Sequence, residues 1–112
     1  MPNFTASVKY IVILGVPLLY MASCQGIGFH RQRTYEAVVS GQSESAVLSA
    51  MGEPSHTEIA QSPYLKYAST GCLAPCVKRM WYENPLSFDI EAWSFEFDAQ
   101  QQLIQKQKWF SP

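Results

Sequence analysis

The chain has 112 residues, 47% of them hydrophobic and only 15% charged, with 8 Lys+Arg against 9 Asp+Glu. A balance this close to neutral removes the electrostatic case for a nucleic-acid partner, because no basic stripe exists to neutralise phosphates. It also leaves no polybasic cluster for anionic lipid, and the length suffices for one small domain.

The N-terminal part carries one positive residue, Lys9, and then runs apolar from 10 to 22 before reaching Met21-Ala22-Ser23-Cys24. A basic start, a short apolar stretch and a small-residue site are the layout of a secretory signal. The apolar run is 13 residues and contains Pro17, against about 20 residues for a membrane-crossing helix, so a permanent span is not expected. The Met-Ala-Ser-Cys end resembles the bacterial lipobox, with Met21 in place of the usual Leu. That resemblance implies a signal over 1–23 and a diacylglyceryl group on the Cys24 thiol. Two acyl chains anchor stably where one is marginal, so the lipid bilayer is the first expected partner. An ordinary signal peptide cut nearby, with Cys24 a structural thiol, is the alternative.

Removing 23 of the 112 residues leaves 89, with 7 Lys+Arg against 9 Asp+Glu because Lys9 departs. Residues 24–34 hold two glycines and no clear periodicity, and read as a tether between lipid and domain. The domain is expected over 35–112. A short helix is predicted at 35–39, ended by Ser40-Gly41. A second follows Ser43 as N-cap, with Glu44 in its first turn and Val47, Leu48 and Met51 on one apolar face. Gly52 supplies a left-handed stop and Pro54 prevents continuation.

Beyond Pro54 the period changes. A short extended piece is expected at 55–60, loop-rich chain at 61–75, and a strand at 77–83 ended by Asn84-Pro85. The run Ala92-Trp93-Ser94-Phe95-Glu96-Phe97-Asp98 alternates strictly, putting Trp93, Phe95 and Phe97 on one face. Asp98-Ala99-Gln100-Gln101 is the expected turn, and 103–109 returns as the next strand. Helices first and strands later predict an α+β fold with an antiparallel sheet, its aromatic row covered by the two helices.

With Cys24 assigned to lipid, Cys72 and Cys76 remain as an even pair in Gly71-Cys72-Leu73-Ala74-Pro75-Cys76, where an oxidising compartment favours a disulfide closing a turn. The loop is so short that the bond adds about 2 kcal/mol or less. A zinc site would need His30 and His56 as further ligands, and these lack zinc-site spacing. Redox chemistry would need C-x-x-C, so no metal or cofactor is expected.

Gly41-Gln42-Ser43, Val47 and Met51-Gly52-Glu53-Pro54 match, spacing for spacing, the G-M-T/S-x-x-x-V-x-x-x-L-G-x-P motif. The chain thereby resembles the SmpA/OmlA (BamE-like) outer-membrane lipoproteins. Trp81-Tyr82 is similar to that family's aromatic first strand, and 93–98 followed by Leu103-Ile104 to its closing hairpin. The resemblance covers about 39–106 plus the lipobox. It implies two helices on a three-stranded antiparallel sheet, like the repeat unit of β-lactamase inhibitor protein. It also implies the periplasmic face of the outer membrane and a non-catalytic role, best known in the β-barrel assembly machinery. Gln25 fits that place, since in enterobacteria an Asp there retains a lipoprotein at the inner membrane. Gln42 and Ala46 depart from the motif, and the Cys72–Cys76 loop is not a general family feature.

Neither a G-x-S-x-G turn nor a glycine-rich phosphate loop is present, so no catalytic residue is expected. Glu91 and Glu96 read as a solvated strand face, and His56 as a surface residue. Two functional expectations result. One is an anchored, non-enzymatic interaction module in outer-membrane assembly or envelope integrity, with an envelope protein as partner. The other is a periplasmic inhibitor or binding lipoprotein that captures a soluble protein through the disulfide loop.

Overall fold

A computed structural model describes residues 4–59, 62–87 and 90–110. The elements run α1 (Phe4–Ala37), α2 (Glu44–Met51), β1 (His56–Ile59), β2 (Lys78–Glu83), β3 (Glu91–Phe97) and β4 (Leu103–Phe110). The strands form one antiparallel sheet in the order β1-β2-β3-β4. The architecture is therefore α+β with an open antiparallel sheet, but it has four strands where three were expected. The extra one is β1, the extended piece anticipated after Pro54, which pairs with β2 from His56 opposite Trp81 to Ile59 opposite Lys78. Ala60 and Gln61 of that expected boundary lie outside the described residues.

The first helix departs most from expectation. It runs 34 residues through Pro17, roughly 51 Å at the α-helical rise, and absorbs both the 24–34 segment and the first three residues of the short helix expected at 35–39. The stretch read as a tether is helical. By length and composition Lys9–Ala37 is able to cross a membrane, as signal sequences near an N-terminus also are. Large side chains from Tyr10 to Leu19 are 54–69% exposed. From Tyr20 onward one stripe turns inward: Tyr20, Cys24, Ile27, Gly28, Arg31, Gln32 and Tyr35 are partly buried and lead to buried Val38. These positions repeat every three or four residues, as one helix face must, yet Gly28, Arg31 and Gln32 interrupt its apolar run at the centre. That composition is why the periodicity was invisible to hydropathy.

The inward stripe lies on the sheet. Gln32 Oε1 accepts from Trp93 Nε1 at 2.9 Å, Tyr35 meets Phe95 edge-on, and Arg31 sits 5.5 Å over the Tyr82 ring. Its Nη1 is buried without a hydrogen-bond partner among the described residues, and burial lowers the guanidinium pKa. At Gly28 a Cβ would stand 2.5 Å from Glu91 Oε1 and would push that side-chain end aside.

The helix-side core joins Val38 and Val47 to Met80, Tyr82, Trp93, Phe95, Phe97 and Leu103, with Tyr35, Leu48 and Met51 packed against it. The aromatic row expected on β3 is thus covered by both helices. Ser43 caps α2 by accepting from Ala46 N at 3.1 Å. Gly52 closes it at φ +83°, its N–H reaching Leu48 O at 2.8 Å, while its carbonyl accepts from the Tyr82 hydroxyl. In the β3–β4 turn Gln101 takes φ +61°, and a register shift follows between Glu96 and Phe97.

Because Gly52 occupies the left-handed region that β-branched residues avoid, Gly52→Val should destabilise the domain by about 1–3 kcal/mol. Thermal unfolding of the variant checks this, and an unchanged midpoint would mean that the turn tolerates a side chain.

Candidate functional site

The face of the sheet turned away from the helices is also buried, which strand alternation alone did not anticipate. Ala92, Ser94 and Glu96 of β3 are all buried, as are Arg79 and Trp81 of β2. The cover is the 62–76 segment, read from sequence as merely loop-rich. Tyr64, Tyr67 and Ala68 pack with Trp109 around Trp81 and Ala92. Tyr67 stacks on Trp81 at 5.1 Å between centroids, Trp109 lies tilted 5.2 Å from Trp81, and His56 stacks on Tyr64 at 4.0 Å. His56 is exposed as expected, but it belongs to this aromatic layer.

Glu83 ties the layer down. Its Oε1 accepts from the Tyr67 hydroxyl, from the Tyr64 hydroxyl at 3.3 Å and from Lys66 Nζ at 2.7 Å. Burial alone would raise this carboxyl, but the hydrogen bonds from Lys66 and Tyr67, the Lys66 charge and the Tyr64 contact together hold it below its ordinary value. Burial and the bond to Glu83 push the Tyr67 hydroxyl up to about 12.

Beside the aromatic layer lies a line of polar groups at one register: Glu58 opposite Arg79, Arg79 opposite Glu96, Glu96 opposite Gln105. Arg79 grips Glu58 with two nitrogens, Nε to Oε1 at 2.6 Å and Nη2 to Oε2 at 3.2 Å. Its Nη2 also donates to Thr70 O at 2.9 Å, and Trp81 Nε1 donates to Glu58 Oε1. Glu96, expected on a solvated face, is 8% exposed. Desolvation raises its pKa, opposed by the Arg79 charge and assisted by that of Glu58.

The disulfide loop closes over this line. Cys72 and Cys76 are bonded, with Cα atoms 5.7 Å apart, and both are buried. Leu73 at the loop tip is 77% exposed. The two sulfurs and a Glu96 oxygen lie within 4.8 Å of one another, but sulfurs joined to each other do not serve as thiolate ligands. His30 and His56, weighed above as further zinc ligands, lie in α1 and at the start of β1.

At the other end of the sheet sits Cys24. It is the free cysteine of the chain and partly buried on α1, and its carbonyl accepts from Asn84 Nδ2 at 3.0 Å. Asn84 also donates to Glu91 Oε1 at 3.1 Å, and the Tyr20 hydroxyl donates to Leu86 O. The docked helix thus places Cys24 against the turn between β2 and β3.

The residues singled out by motif serve the fold in different places. Gly41 (φ +93°) and Gly52 shape the ends of α2, Ser43 caps it, Val47 is fully buried beneath it, and Pro54 follows it into β1. Trp81 and Tyr82, adjacent in sequence, point to opposite faces and are both fully buried. The Glu58–Arg79–Glu96 line went unforeseen because β1 was not paired to β2 in advance; the charge of Glu96 between Phe95 and Phe97 was its only signal. Comparison with protein-family models, curated proteins and solved structures returns no match to this chain.

Removing one member of a buried ion pair strands the other, typically by about 3–5 kcal/mol. Arg79→Leu, which leaves Glu58 and Glu96 facing each other, should lower stability by that amount in chemical denaturation. A loss below about 1 kcal/mol would show that water screens the line as it screens surface pairs. For Glu83 the linkage sign is set by its lowered folded-state pKa. Its stabilisation is present above the ordinary value of 4.5 and is lost as pH falls through the lowered value. The melting-temperature gap between wild type and Glu83→Gln should therefore be widest near neutrality and narrow in acid; a gap independent of pH would contradict it.

Proposed function

We propose that the chain is a lipid-anchored, non-catalytic lipoprotein of SmpA/OmlA type that acts as an interaction module in outer-membrane assembly or envelope integrity, at the periplasmic face of the outer membrane. The observation that carries this reading is the position of Cys24 on α1. It marks the junction between the exposed apolar half of the helix, from Tyr10 to Leu19, and the half docked on the sheet through Gln32, Arg31 and Tyr35. Cleavage before Cys24 would remove the apolar half and leave the docked half in place, with the modified cysteine held beside Asn84.

Two helices against an antiparallel sheet support the family reading, as does the capped α2 with Gly41, Ser43, Val47, Gly52 and Pro54 in structural positions. A second reading, capture of a soluble partner, is favoured by the exposed Leu73 on a disulfide-closed loop.

One measurement tests the anchor that both readings share, and a second separates them. Cys24→Ala should block signal removal by the lipoprotein peptidase, giving a longer precursor on immunoblots of envelope fractions; normal processing with retention at the membrane would refute lipidation. Co-purification from detergent-solubilised envelopes should recover β-barrel-insertion components or other envelope proteins. Recovery of a single soluble hydrolase would transfer the assignment to the capture reading.

A further inference from the structure

Along the register line Glu58, Arg79, Glu96, Gln105, two carboxylates flank one guanidinium. The hydrogen bonds are not shared evenly. Glu58 receives two from Arg79 and one from Trp81, and Arg79 Nη2 also donates to the Thr70 carbonyl. Glu96 receives none from the described residues, although only 8% of its surface is exposed. One negative charge on this line is therefore uncompensated by a donor.

That carboxylate opens into a cleft of about 290 Å³ between the disulfide loop and β4. Thr70, Gln105 and the Arg79 guanidinium, already forked onto Glu58, bring polar groups to its walls, and Leu73, Pro75 and Ile104 bring apolar ones. A charged head at the floor with apolar walls above suits a cation carried on an alkyl stem. A bare metal ion fits poorly. Calcium takes 6–8 oxygen ligands, and with both sulfurs in the disulfide the group of three potential ligands keeps only Glu96. Arg79 and Glu96 both line the cleft, and with Glu58 behind Arg79 the line carries two carboxylates and one guanidinium, a balance that favours a cation over an anion.

We propose that this cleft is a binding site for an alkylammonium group, the chemistry of a lysine side chain, seated against the Glu96 carboxylate. The ammonium completes an alternating acid–base–acid–base line across the sheet, and its compact head with three donors can serve Glu96 and the neighbouring Gln105 and Thr70 together. The apolar stem leaves over Ile104 and Pro75 toward Leu73 at the loop tip. The site depends on the cleft alone and is the same whichever way α1 is anchored.

The test is a titration of the full-length protein in non-ionic detergent with n-butylammonium chloride, followed by NMR of glutamate side-chain carboxyl carbons and backbone amides. Potassium chloride and n-butanol serve as controls for charge and for the alkyl chain. The expected result is a saturable shift at Glu96, Gly71 and Gln105 with n-butylammonium and with neither control. Affinity should fall by about tenfold or more in Glu96→Gln, since a charge-assisted bond is lost while the shape is kept. A parallel arm uses N-acetyl-lysine methylamide. Binding as tight as or tighter than n-butylammonium assigns the ligand to a protein side chain, and weaker binding assigns it to a free amine; both place an ammonium in the cleft. The proposal is overturned by a response no greater than that to potassium chloride, or by undiminished affinity in a Glu96→Gln protein whose amide spectrum shows it folded. The wild-type titration decides the matter even where that variant fails to fold.

Discussion

The structure depends on a sheet whose two central strands are buried on both faces. Trp81 and Tyr82 are neighbours in β2, face opposite ways and are each fully excluded from water. In a strand this is unavoidable geometry: successive side chains alternate, so two large aromatics in a row commit both faces to burial. Each face then needs its own cover. The helices supply one through Val38, Val47, Tyr35, Leu48 and Met51. The other comes from chain without regular structure, through Tyr64, Tyr67 and Ala68. Irregular chain is a poor cover unless its path is fixed, because ordering each residue opposes folding by about 1–2 kcal/mol. Three devices fix it here: the Cys72–Cys76 bond, the Arg79 bond to the Thr70 carbonyl and the cluster of donors on Glu83.

Electrostatics on that second face follow from the same constraint. Glu58 and Arg79 are nearly inaccessible to water, yet they are paired in fork geometry with an additional donor from Trp81. Arginine suits this position because its planar head reaches a carboxylate and a backbone carbonyl at once, which a lysine ammonium on a flexible stem does less rigidly. The pair also specifies register: sliding β1 by one residue would put Glu58 on the opposite face and leave Arg79 without it. A buried ion pair is weak evidence of net stabilisation, and its stronger effect here is to select one pairing of β1 over its alternatives.

Much of this fold was legible in the sequence where local rules dominate. Ser43 and Gly52 bracket α2 because capping chemistry and positive φ leave few other residues suitable. The alternation from Trp93 to Phe97 marked β3, and the short spacing of Cys72 and Cys76 marked their bond. What escaped was set by tertiary contact. The docked part of α1 faces the sheet with Cys24, Gly28, Arg31 and Gln32, so no apolar stripe announced it; the glycine allows close approach and the polar groups meet Trp93, Tyr82 and Asn84. The strand β1 is only four residues long, too short for periodicity to speak. Glu96 read as solvent-facing because alternation assumes one wet face, and the 62–76 cover that removes the water lies about twenty residues away in sequence.

The docked half of α1, from Cys24 onward, changes how the domain would be presented. A glycine-rich string lets its cargo tumble; a helix seated along the sheet makes stalk and cargo a single lever. The stalk meets the domain at the β2–β3 turn, beside Asn84 and Leu86, while the Cys72–Cys76 loop precedes the first residue of β2 at the opposite end. The seven residues of β3 between those ends span roughly 24 Å. Whatever holds the start of the docked helix therefore sets the loop's height and heading together.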